Sequence, residues 1–147
     1  MEANLDKRYQ TLIVLWAAQL MGIGMFFLVT VLAAPELGNQ TGSGSGRSIL
    51  IVVITALATF LVILSFAVKN KLLERAVENQ DVNLVQKGLL IACAMCEVSA
   101  LLGLIDRFVI GDSTYYLLFL LAAAGIAFHF PRRSQLEAAS YKTPELT

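Results

Sequence analysis

One carboxyl group lies in the middle of a stretch of otherwise apolar residues. The stretch reads ACAMCEVSALLGLI, and it places Glu97 close to Cys93, Cys96 and Ser99. Carboxyl, thiol and hydroxyl groups are the side chains that hold ions, carry protons or act as nucleophiles, so this stretch is the strongest candidate for chemistry in the chain. If the stretch is helical from Gly88 onward, Glu97 lies about 13 Å along the helix axis, near the middle of a bilayer.

Three interpretations of Glu97 stay open at the level of sequence. A neutral Glu97 hydrogen-bonded to Gln19, which lies at a similar depth in the first apolar stretch, would pin the register of two helices. A Glu97 that ionises would relay protons or other ions, and a third role is the binding of a ligand. An acidic residue at a helix centre costs about 2.5–3.5 kcal/mol of insertion free energy, which the many Leu, Ile, Val and Phe residues around it offset.

Small residues recur on one face of the same stretch. Such residues let transmembrane helices approach closely, so the pattern predicts a packing seam with Glu97 at its edge. The residues predicted to pack are Ala92, Cys96, Ser99, Ala100 and Gly103, with Ala18 and Gly22 as their equivalents in the first apolar stretch.

Metal and cofactor sites are not indicated by the cysteines. Cys93 and Cys96 form a C-x-x-C, but the motif lacks two further ligands, so packing is the preferred interpretation and no metal site is predicted. His129, the single histidine, is predicted to be interfacial at the inner end of the last apolar stretch, with ligation of a haem or chlorin as the alternative. The sequence leaves any cofactor undecided.

These residues lie on elements that the composition defines well. Of the 147 residues, 57% are hydrophobic and 15% are charged, which is too apolar for an ordinary soluble domain. Four apolar stretches of roughly 20 residues predict an all-α, integral membrane four-helix bundle. The predicted spans are 11–34, 48–68, 88–110 and 113–130, within a domain of residues 1–133 that is followed by a polar, disordered cytoplasmic tail at 134–147.

The positive charges predict the orientation of the bundle. Of the 11 Lys and Arg residues, only Arg47 and Arg107 fall on one side of the four predicted spans. Since basic residues concentrate on the cytoplasmic side, both termini are predicted to be cytoplasmic, and the predicted location is a bacterial inner membrane. When the third span is laid over the first, Glu97 aligns with Gln19, which leaves two repeated helical hairpins or a chance similarity as open interpretations.

The third span resembles the carboxylate-bearing helix of rotary ATPase proteolipid (c-type) subunits. Those helices carry an acid among small residues, followed by a stretch like ALLGLI, and a polar cytoplasmic loop precedes them, as residues 69–87 precede Glu97 here. The resemblance implies that Glu97 binds the ion and that Ser99 helps it. The layout as a whole also resembles small four-helix bacterial membrane proteins that have no assigned activity.

Function is predicted from what the motifs include and what they lack. The sequence contains no phosphate-binding loop, nucleophile elbow or zinc-protease motif, so the protein is not expected to be an enzyme. With a formal net charge of zero, no nucleic acid partner is expected either. We expect a small non-catalytic subunit or scaffold that meets the lipid bilayer and other membrane subunits or further copies of itself. The alternative is an ion-translocating, proteolipid-like subunit.

Overall fold

The computed structural model describes residues 2–33, 45–111 and 113–140, and in these residues every regular element is a helix. The helices are α1 (Glu2–Ala33), α2 (Ser45–Glu78), α3 (Val82–Ile105), α4 (Tyr116–Phe128) and α5 (Arg133–Ser140). A π-helical segment, Asp106–Ile110, continues α3 toward the turn that precedes α4. The all-α prediction is confirmed for this part of the chain.

Three of the helices are long and apolar enough to cross a membrane. The qualifying segments are Leu5–Ala33, Gly46–Glu78 and Val82–Ile110. α4 has only 13 residues, which rise about 20 Å and fall short of the roughly 30 Å hydrocarbon core. The first three predicted spans therefore have matching helices, whereas a full crossing by residues 113–130 stays a prediction.

α3 is the central helix of the fold. In its apolar window 44% of the residues are buried inside the protein, against 11% in α1 and 17% in α2. α1, α2 and α4 each pack on α3, and α1 and α2 have no extensive contact with each other. The carboxyl-bearing helix is thus the one around which the other membrane helices are arranged.

The connection between α2 and α3 follows from local sequence. α2 continues past its apolar part to Glu78 and ends where Gln80 adopts a positive φ of 51°. α3 then begins after Asp81, whose side chain accepts a hydrogen bond of 2.9 Å from the backbone N–H of Asn83. An aspartate at this position satisfies one of the unpaired N–H groups at the helix start, so the chain reverses within a few residues.

The segment after α4 differs from the predicted disordered tail. Residues Arg133–Ser140 form α5, which packs on α1, α2 and α3 and buries Leu136 and Ala139. The amphipathic spacing of this short helix gives it an apolar face, and burial of that face compensates for the cost of ordering the chain. Arg133 also pairs with Asp6 at 3.1 Å. Residues 141–147 of the predicted tail lie outside the described residues.

Candidate functional site

Glu97 lies half-buried between α3 and α1. Its Oε1 atom is 4.0 Å from the position that a Cβ atom would take on Gly22, so the carboxyl group lies against the backbone of α1. Because Gly22 has no side chain, α1 leaves room for the carboxyl at this point. The pairing of this region of α1 with the Glu97 region of α3 agrees with the predicted juxtaposition of the first and third helices.

Gln19, the predicted partner of Glu97, lies one helical turn before Gly22 and is also half-buried. Among the hydrogen bonds of residues 2–33, 45–111 and 113–140, none joins Gln19 to Glu97 and none involves the Glu97 carboxyl. The direct hydrogen bond between the two side chains stays a prediction.

Ser99 lies on the other side of α3. Its Oγ donates a 3.0 Å hydrogen bond to the backbone carbonyl of Ala58 on α2, and the side chain is fully buried. The helical rotation between positions 97 and 99, about 200°, explains why two residues so close in sequence face different helices. Ser99 therefore binds α2 and is not placed beside the Glu97 carboxyl as an ion-site helper.

The predicted packing seam on α3 is buried. Gly103 approaches α4 so closely that a Cβ atom there would lie 3.0 Å from the Cβ of Leu118. On the facing side, a Cβ atom on Gly125 of α4 would lie 2.8 Å from the Sγ of Cys96. Small residues at such spacing allow helix backbones to come together, as the sequence predicted. The buried members of the seam are Ala92, Cys96, Ser99, Ala100 and Gly103.

The two α1 residues assigned to the seam have different positions. Gly22 is half-buried beside Glu97, whereas Ala18 is exposed. α1 contributes Leu12 and Ile23 to the core, and a residue at position 18 points away from the face that carries them. Ala18 is therefore not packed against α3 within this chain, and its role as a helix-packing residue stays a prediction.

A buried polar cluster at the C-terminal ends of α2 and α4 was missed by sequence reasoning. His129 has 0% exposure because the chain after α4 packs against α2, and its interfacial depth stays a prediction. Its Nε2 lies 2.8 Å from the Oγ of Ser65, and its ring lies 4.3 Å from that of Phe66, centroid to centroid. The ammonium group of Lys69 donates a 3.1 Å hydrogen bond to the backbone carbonyl of His129.

The Ser65 hydroxyl is the centre of this cluster. It lies 2.6 Å from the backbone carbonyl of Val62, to which it donates, and it makes a 2.8 Å hydrogen bond with His129 Nε2 whose donor depends on the histidine tautomer. The Cys96 Sγ lies 3.6 Å from the same hydroxyl, and the other imidazole nitrogen, Nδ1, is buried without a hydrogen-bond partner.

The cluster contains the residue types of a nucleophile and a base, but its geometry favours a structural role. An activated serine directs its proton to the histidine, whereas the Ser65 hydroxyl also lies 2.6 Å from the carbonyl of Val62, which competes for that proton. Ser65, Cys96 and His129 are each fully buried, so a substrate has no path to them in this arrangement. The pair Ser65 and His129 instead ties the end of α4 to α2. The sequence did contain a signal for this contact, because Ser65 and His129 both lie near the C-terminal ends of predicted apolar stretches.

The opposite end of the fold contains a second group of polar residues. Arg47 of α2 donates a 2.9 Å hydrogen bond to the backbone carbonyl of Gly111, whose φ of 71° closes the π-helical segment. The guanidinium of Arg107 lies over the ring of Tyr115 at 5.3 Å, and Asp106 is buried. These contacts hold the turn between α3 and α4. Residue 112, in the predicted turn, lies outside the described residues.

Metal ligands are not clustered in the part of the chain that the structure describes. In that part no group of three or more His, Cys, Asp or Glu side chains has the arrangement of a metal site. Cys93 and Cys96 are both buried as free thiols. Comparisons with protein-family models, with curated proteins and with solved structures find no match for this chain.

Proposed function

We propose that the protein is a small, non-catalytic subunit or scaffold of a larger membrane protein complex. The observation that carries the proposal is the state of Glu97: a half-buried carboxyl near the middle of the apolar segment Val82–Ile110, with no hydrogen bond to the described residues. Lipid hydrocarbon cannot form a hydrogen bond with a carboxyl group, and intramembrane acids normally face a protein interior or a polar partner. A neighbouring subunit would supply that partner.

The proposed arrangement has four helices in a bacterial inner membrane, with both termini in the cytoplasm. α4 would cross a thinned bilayer or extend its crossing through the residues that flank it. The test of orientation is labelling with a membrane-impermeant thiol reagent in a Cys93→Ala, Cys96→Ala background. Gly46→Cys should react from outside intact cells and Asn79→Cys only after lysis. The opposite pattern would invert the proposed orientation.

The subunit proposal is tested by purification of the full chain in mild detergent. A distinct membrane protein should copurify in a fixed ratio with the wild type and with Glu97→Gln, which keeps hydrogen-bonding capacity. Glu97→Ala should weaken the association by about 3- to 30-fold, the range expected for one interhelical hydrogen bond in a membrane. Met21→Ala is the matched control, because Met21 is exposed on α1 and is 71% accessible. A chain that purifies alone at every detergent strength would contradict the proposal.

A second candidate function is ion or proton translocation by a proteolipid-like subunit. The half-exposed carboxyl favours it, because an ion-carrying acid has to be reachable and cannot be locked in a permanent hydrogen bond. The test is Glu97→Gln in the intact complex. This variant should stop ion movement while the assembly survives, and a hydrophobic carbodiimide should modify wild-type Glu97 more slowly as the pH rises and the carboxyl ionises. Ion movement that persists in Glu97→Gln would exclude this role.

A further inference from the structure

The central helix is open on one side only. Along that side α3 exposes a single line of apolar residues at alternating steps of three and four. Its members, named here the α3 stripe, are Ile91, Ala94, Val98, Leu101 and Ile105. Alternating steps of three and four are the spacing of a seam that receives the side chains of one facing helix. All other faces of α3 are covered by α1, α2 and α4.

We infer that the α3 stripe binds one transmembrane helix from a different membrane protein. We further infer that this helix carries an amide or hydroxyl side chain at the same height along the α3 axis as Glu97. The inference deepens the proposed function and rests on it. Glu97 directly precedes Val98 of the stripe and lies against Gly22 on the α1 side. On the α2 side, Ser99 is satisfied by the carbonyl of Ala58. One unsatisfied polar group thus lies beside the stripe, at the edge next to α1.

The hydrogen-bonding requirement of Glu97 distinguishes a protein helix from lipid as the group that covers the α3 stripe. A lipid acyl chain would cover the apolar residues of the stripe but would leave the carboxyl without a hydrogen bond. At the membrane centre the neutral carboxyl both donates and accepts, so an amide or a hydroxyl on the facing helix complements it. On the neighbouring α2 surface the Thr59 hydroxyl donates a 2.8 Å hydrogen bond to the backbone carbonyl of Thr55, so this polar group is satisfied within its own helix and lipid suffices there.

A second copy of this chain is a poorer occupant than another protein. If the α3 stripes of two copies packed in parallel, Glu97 would lie at a position that flanks the seam. It would then face the flanking residue five positions later on the other copy. That position is Leu102, whose side chain has no hydrogen-bonding group. The stripe of a second copy would therefore bury the apolar residues and still leave the carboxyl unpaired.

The test places a benzophenone amino acid at one position at a time in the full chain, in its native membrane. The test positions are the five of the α3 stripe, and the controls are Val53 and Ile63, which are exposed on α2. Irradiation should give one adduct from the stripe and none from the controls. The crosslinked peptide should be a transmembrane helix of a different protein, with an Asn, Gln, Ser or Thr within one turn of the site that reacts with position 98.

A pair of matched substitutions keeps the test independent of folding. Ala94 of the stripe and Ala56 of α2 are both exposed, so neither Ala94→Phe nor Ala56→Phe disturbs the core. Ala94→Phe should reduce adduct yield and copurification at least tenfold, and Ala56→Phe should change neither.

Three results of the crosslinking would overturn the inference: adducts of two copies of this chain, adducts with lipid only, or a partner helix without an amide or hydroxyl. A partner that copurifies but crosslinks elsewhere overturns it while the subunit proposal stands, and the absence of any partner overturns both.

Discussion

The contact between α3 and α4 makes a sharp prediction at Gly125. A Cβ atom on this residue would lie 2.8 Å from the Sγ of Cys96 and 3.2 Å from the Cγ1 of Val62. Since relaxed contacts between such atoms are about 3.5–4.0 Å, Gly125→Ala requires α4 to move by several tenths of an ångström from two helices at once. Overpacking of this kind costs about 1–3 kcal/mol, which lowers the ratio of folded to unfolded protein by about 5- to 150-fold.

The assay can use the single tryptophan of the chain as its reporter. Trp16 donates a 2.7 Å hydrogen bond to the backbone carbonyl of Ile126 and packs edge-on against Phe130. Its fluorescence therefore reports on whether α1 and α4 are together. Unfolding by increasing SDS in mixed micelles should need less SDS for Gly125→Ala than for the wild type.

Two further variants separate a steric clash from any general effect of alanine. Gly24→Ala is the matched control, because a Cβ atom there meets nothing within 4 Å, and the better helix propensity of alanine should leave stability unchanged or slightly higher. Cys96→Ala removes the closest clashing atom, so Gly125→Ala combined with Cys96→Ala should be more stable than the sum of the two single costs predicts. Additive costs, or a Gly125→Ala protein as stable as the wild type, would refute the close approach of α3 and α4.

Two more substitutions test the buried contacts of the same core. Gly103→Leu should lower the free energy of unfolding by about 1–3 kcal/mol, because even its Cβ would lie 3.0 Å from the Cβ of Leu118. Leu102→Ala, at a half-buried position, should lower it less in the same SDS titration. Equal losses of stability would contradict the packing seam on α3. Ser65→Ala should cost about 1–3 kcal/mol because it leaves His129 Nε2 buried and unpaired, and adding His129→Phe should recover part of that loss. A double variant that is less stable than Ser65→Ala would count against the assigned hydrogen bond.

The sequence determined the elements that local properties control. Summed transfer free energies along each apolar run are sufficient to predict the long helices, though not the extension of α2 beyond its apolar part. The seam on α3 was also predictable, because Ala92, Cys96, Ala100 and Gly103 share one face whatever that face meets. The unusual position of Glu97 was visible from the hydropathy pattern alone. Each of these features depends on a single helix.

Which helix each face contacts depends on the tertiary packing and could not be predicted from the sequence. In a soluble protein polar residues mark the outside, but in a membrane both the core and the lipid-facing surface are apolar, so the pattern does not distinguish them. For this reason Ala18 was assigned to a seam and is exposed, and Ser99 was assigned to Glu97 and binds α2. The burial of His129 and the folding of residues 133–140 as α5 depend in the same way on contacts with distant segments, and such contacts leave no periodic signal in the residues themselves.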